Sequence, residues 1–182
     1  FYMLTFPTAG ACWVYDAATN MWHERAHFLE GQFARWRGNC HMYHEGKHLV
    51  GDYENGIIYE MSLDVYDYNG APRKWLRSWR TPTNENLAIF YYSLTIDAEM
   101  GVGLDGSGQG TDPVMMMRFS NNGGHTFINE RIVSMGRMGE YRKRAIFRRL
   151  GRSRNRVYEI SGTDATKVTL INAYQNAAPG TV

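Results

Sequence analysis

The residues of this sequence best equipped for chemistry are its arginines. Between Arg137 and Arg156 stand nine basic residues and one acid, Glu140, a local charge of about +8 in a chain whose total is only +2. The rest of the chain then sums to about −6, so the surface is polarised. Arg137, Arg142, Lys143, Arg144, Arg148, Arg149, Arg152 and Arg154 form the candidate interface cluster. Guanidinium forks grip carboxylates and phosphates with defined geometry. The cluster therefore suits an acidic neighbour, direct contact with nucleic acid, or simple solvation. Aromatics able to stack on bases are few in this stretch, only Tyr141, Phe147 and nearby Tyr158, which favours a protein neighbour.

Other reactive types give less. His23 and His27, His44 and His48, and the adjacent Cys40 and His41 have spacings that invite a metal. Residues four apart on a strand stand about 13 Å apart, too far to share one ion, so we expect no metal and no cofactor. Two cysteines, Cys12 and Cys40, make no disulfide framework and read as reduced, buried thiols. Asp52, Glu54, Glu60, Asp64 and Asp67 are scattered without the spacing of a catalytic pair. The glycines from Gly101 to Gly110 lack the lysine and hydroxyl residue of a phosphate loop and read as a flexible surface loop. Nothing assembles an enzyme. No run approaches eighteen consecutive apolar residues, so no membrane-spanning helix is expected.

The octapeptide from Ser120 to Phe127 is close to an Asp box, with Asn122 and Phe127 in place of Asp and Trp. Ser120, Asn122, Gly124, Thr126 and Phe127 read as a structural turn, in which hydroxyl and amide side chains accept backbone N–H bonds and glycine takes the dihedral other residues avoid. Asp boxes also occur in sialidases and glycan-binding propellers, which makes a glycan-binding protein or sialidase-like hydrolase the rival functional reading.

The elements that must position these residues are strands. A hairpin signature recurs at Tyr15-Asp16, Tyr66-Asp67 and Phe119-Ser120, at intervals of 51 and 53 residues, each time followed by a polar turn and a second strand opened by a large aromatic, Trp22, Trp75 and Phe127. Such a period describes β-propeller blades. The expectation is an all-β fold of three to four blades of a larger propeller. Residues 1–171 form the partial propeller, with blades at 1–36, 37–80 and 81–134 and closing strands at 135–171, and residues 172–182 form a C-terminal tail. Fewer than four blades do not close a ring, so the chain reads as a piece of something longer. Asn55-Gly56 predicts a type I′ hairpin turn. Val157–Ser161 and Val168–Ile171 read as one further hairpin, and the best helical candidate, His27–Arg37, is short and holds Gly31.

Over residues 87–173 the chain resembles the packaged-DNA stabilization proteins of short-tailed bacteriophages, also called tail accessory or hub proteins. The resemblance rests on Asp112 to Phe127, on Gly136-Arg137-Met138-Gly139-Glu140-Tyr141 and on Arg149-Leu150-Gly151-Arg152-Ser153-Arg154-Asn155-Arg156-Val157, in that order and spacing. Before residue 87 only Trp22-His23-Glu24-Arg25 and the blade-like repetition agree. The resemblance implies a structural virion protein of the tail, found in the host cytoplasm during assembly. It would be the C-terminal portion of a propeller protein that forms a ring, usually a hexamer, beneath the portal. Its implied partners are the portal or its adaptor, the tail needle or plug and the tailspikes, with possible contact to packaged DNA. It implies no catalytic residue.

Overall fold

The structure, a computed structural model, describes residues 1–85 and 87–180. Among the described residues all regular structure is β, in fifteen strands. Two compact units divide the chain after Val65.

The first unit builds small antiparallel sheets from neighbouring strands. β1 (Tyr2–Phe6), β2 (Ala11–Asp16) and β3 (Met21–Glu24) pair in sequence order, with Tyr2, Tyr15 and Trp22 level across the sheet. β6 (Gly38–His44), β7 (Lys47–Asp52) and β8 (Ile58–Met61) repeat the meander. The helical candidate at 27–37 is instead a hairpin of β4 (Ala26–Leu29) and β5 (Gln32–Arg35). At its tip Glu30 and Gly31 both have positive φ, 49° and 83°, as a type I′ turn requires, and Gly31 cannot hold a helix against that turn. At Asn55-Gly56 only Gly56 is left-handed; Asn55 instead accepts the Ile57 amide on its side-chain oxygen at 2.9 Å. Cys12 is buried in β2, whereas Cys40, expected inside, is exposed on β6.

The second unit is organised differently. β9 (Trp75–Arg80), β10 (Ile89–Ala98), β11 (Val114–Ser120), β12 (Arg131–Ser134), β13 (Ala145–Ser153), β14 (Val157–Gly162) and β15 (Leu170–Pro179) form two antiparallel sheets, ordered β13-β10-β15 and β12-β11-β14-β9. Alternation aims every second side chain inward. From the first sheet come Leu94, Ile96, Phe147 and Leu150, and from the second Met115, Met117, Phe119, Tyr158 and Ile160. Each such side chain removed from water contributes about 1.5–3 kcal/mol. The two faces share one core, the arrangement of a sandwich.

This pairing departs from the expected blades. A blade pairs strands in sequence order, but β14 lies between β11 and β9, and β10 lies between β13 and β15. Residues 81–134 are thus split between two sheets. The 157–161 and 168–171 segments do not pair with each other, because their partners are in opposite sheets. The expected tail is mostly a strand: β15 pairs with β10 along its length, from Leu170 opposite Ala98 to Pro179 opposite Ile89. The backbone bonds satisfied by β10 hold a sequence whose small and amide side chains gave no strand signal. Positions 181–182 lie outside the described residues. The glycine-rich loop after Met100 is anchored: the Gly101 amide donates to the Met135 carbonyl at 3.0 Å, and buried Gly103 has the Thr111 carbonyl where a Cβ would stand.

Candidate functional site

The eight cluster residues fall into two groups on the second unit. Arg137, Arg142, Lys143 and Arg144 lie on the connection from β12 to β13, which carries the chain from one sheet to the other. Its turn is held by Glu140, whose carboxylate accepts the Arg137 amide at 2.9 Å and the Lys143 ammonium at 2.8 Å. The Lys143 bond, then the Arg137 amide, holds that carboxyl below its ordinary range. Lys143 is thereby spoken for within the turn, while Arg137, Arg142 and Arg144 are exposed.

Arg148, Arg149 and Arg152 lie on β13, an edge strand, with Arg154 just beyond it. Strict alternation would turn one of Arg148 and Arg149 inward. Instead the β10–β13 register shifts between Tyr91 and Ser93, and Arg149 takes a φ of 58°. This bulge leaves both arginines exposed and keeps Leu150 in the core. A non-glycine residue there costs about 1–2 kcal/mol, and such strain concentrates at working surfaces. Arg131 of β12 reaches the same edge, donating to the carbonyls of Arg148 at 2.7 Å and Arg149 at 3.3 Å. Those acceptors are no longer open to another strand. Among the described residues no carboxylate comes within ion-pair distance of Arg137, Arg142, Arg144, Arg148, Arg149, Arg152 or Arg154.

The ninth basic residue of the segment behaves in the opposite way. Arg156 is fully buried. Its guanidinium lies 4.1 Å from the Phe119 ring, 4.3 Å from Tyr91 and 5.6 Å from Tyr158. It donates to the Asn121 side-chain oxygen at 2.8 and 3.1 Å and to the Leu150 carbonyl at 2.8 Å. Its own carbonyl accepts from the Thr81 amide at 2.9 Å. A buried cation without a carboxylate is tolerable because aromatic faces and neutral acceptors replace its water. Arg156 thus ties both sheets together and is not part of the surface. Burial also pushes the Tyr158 phenol up.

The turn residues are brought together. Ser120 Oγ accepts the Gly124 amide at 2.9 Å, Asn122 Oδ1 accepts the Thr126 amide at 2.9 Å, and Asn122 Nδ2 donates to Thr126 Oγ1 at 2.9 Å. Gly123 and Gly124 take φ of 74° and 102°. The Phe127 ring lies 4.7 Å beneath the guanidinium of Arg118, which pairs with Glu159 directly across β11–β14. These side chains face one another, which leaves the turn a structural corner. Among the described residues no three histidine, cysteine or acidic side chains converge. His41 and His48, a pair the spacing arguments passed over, meet with ring nitrogens 2.9 Å apart.

Residues 74–177 match the family described as bacteriophage P22 Gp10, beta-sandwich. The chain belongs to that family. The matched span is more than half the sequence and coincides with the two-sheet unit, so the family description and the strand order agree on a sandwich for this region. Membership in the Gp10 family places the chain among the structural proteins of phage tails, and so in the virion. No curated protein matches the chain. A concavity of about 600 Å³ over β10 and β13 is lined by Arg148, Arg149 and Arg152 together with Phe90, Tyr92 and Asn176.

Besides the His41–His48 pair, sequence reasoning missed two features. The inward position of Arg156 was available from alternation, since Tyr158 and Ile160 share its side of the strand. The exposed aromatics beside the arginines, Phe90 and Tyr92, were not available, because they come from β10, more than fifty residues earlier.

Proposed function

We propose that this chain is part of a tail hub, a collar that joins the portal or its adaptor to the tail needle or plug and the tailspikes and helps retain packaged DNA. The match of residues 74–177 to the Gp10 sandwich carries this reading. In it the copies assemble as a ring, a hexamer by the family resemblance. Arg137, Arg142 and Arg144 on the sheet-to-sheet connection meet acidic surfaces of neighbouring subunits. Unneutralised, exposed guanidinium groups support that role, because they gain most from a carboxylate partner that arrives with the neighbour. The meanders β1–β3 and β6–β8 have the sequential pairing of propeller blades, which supports a propeller-like first unit.

Disrupting the gene in the phage and complementing it in trans tests the reading. The account expects heads that package DNA and then lose it, and lack needle and spikes, with rescue by the intact gene. Complete, DNA-filled, infectious particles without this protein would refute it.

A further inference from the structure

The geometry points to a binding site for a nucleic-acid strand with free bases on the outer face of the β13-β10-β15 sheet, made by Arg148, Arg149 and Arg152 together with Phe90, Tyr92 and Asn176. It goes beyond the proposed function and does not rest on it.

Three observations carry it. The concavity of about 600 Å³ over β10 and β13 is lined by three arginines and no carboxylate, so no lining residue offsets their charge. Phe90 and Tyr92, 41% and 54% exposed, stand in the same concavity. Phe90 lies opposite Arg152 in register, and Ser93 lies opposite both Arg148 and Asn176. Finally, the left-handed backbone at Arg149 keeps two successive arginines turned outward.

Each part answers one part of a nucleotide. Guanidinium forks bind phosphodiester oxygens. Aromatic rings offer stacking that any base can use. The Asn176 amide supplies a donor and an acceptor for a base edge or a sugar hydroxyl. An acidic protein segment would use the arginines but leave the two rings unexplained, and duplex DNA would keep its bases away from them.

The test is fluorescence anisotropy on the full chain with a labelled single-stranded thymidylate oligonucleotide, the matching duplex, and polyglutamate as competitor, over a salt series. The inference expects the single strand to bind more tightly than the duplex. Tyr92→Ala and Phe90→Ala should each weaken it about 5- to 150-fold with the salt slope unchanged, and Tyr92→Trp should restore it. Arg148→Gln and Arg152→Gln should each lower the salt slope by about 0.7. Arg149→Gly should do the same while relieving the strained backbone, so that a melting temperature held or raised shows the loss is not misfolding.

Equal binding of duplex and single strand with no effect of Tyr92→Ala would overturn the inference. So would displacement by polyglutamate as effective as by unlabelled oligonucleotide, which would identify an acidic protein as the occupant, or no binding at all. The result is independent of the tail reading, since a chain that assembles into particles but binds no oligonucleotide refutes only this site.

Discussion

Arg156 shows how one residue can reverse its meaning with position. By type and by company it belongs to a basic surface run, yet it is the largest fully buried side chain of the chain. Its cost of desolvation is met by three aromatic rings, the Asn121 amide and the Leu150 carbonyl. Arg156→Ala should therefore destabilise the second unit by about 3–5 kcal/mol, since it opens a cavity and leaves buried acceptors without donors. Arg156→Met, which refills the volume, should cost clearly less. Denaturant melts of the two variants measure this, and equal, negligible losses would show that the cation does not hold the sheets. Alternation through Tyr158 and Ile160 made this placement legible; the charge count obscured it.

At the scale of elements, local pairing was readable and distant pairing was not. The β2–β3 hairpin follows from Tyr15 and Trp22 flanking a polar turn, and the β6–β7 turn from Glu45-Gly46. Nothing local tells β14 to pair with β9, some eighty residues earlier, as Glu159 does with Ser78. That choice is made by which faces bury Met115, Met117 and Tyr158 together, and periodicity records a buried face without naming its partner. β15 was misread for the same reason, since Asn172, Gln175 and Asn176 form a strand only because β10 is there to receive them.

The connection between β12 and β13 yields a pH prediction. Glu140 has its folded pKa lowered by Lys143 and the Arg137 amide. Its contribution is fully present above its ordinary value of 4.5 and is lost as pH falls through the lower folded value. The melting-temperature difference between the wild type and Glu140→Gln should therefore be present at neutral pH and shrink as the pH falls below 4.5 and through the lower folded value. A difference that grows on acidification would contradict the assigned contacts.

For the whole molecule, the sandwich supplies two sheets joined internally by Arg156, and among the described residues seven arginines of the 137–154 cluster have no ion-pair partner, in two groups. Charges held on fixed strands and a braced turn are suited to meeting partners. Family membership gives the setting, a phage tail; under the two proposals one group of arginines meets neighbouring subunits and the other a nucleic-acid strand. The most direct measurement is an electron cryomicroscopy map of the DNA-filled particle at side-chain resolution. The account predicts this sandwich within a closed collar around the DNA channel, with Arg137, Arg142 and Arg144 against the next subunit. A tail without this sandwich, or a collar in which these arginines all face bulk solvent, would contradict it.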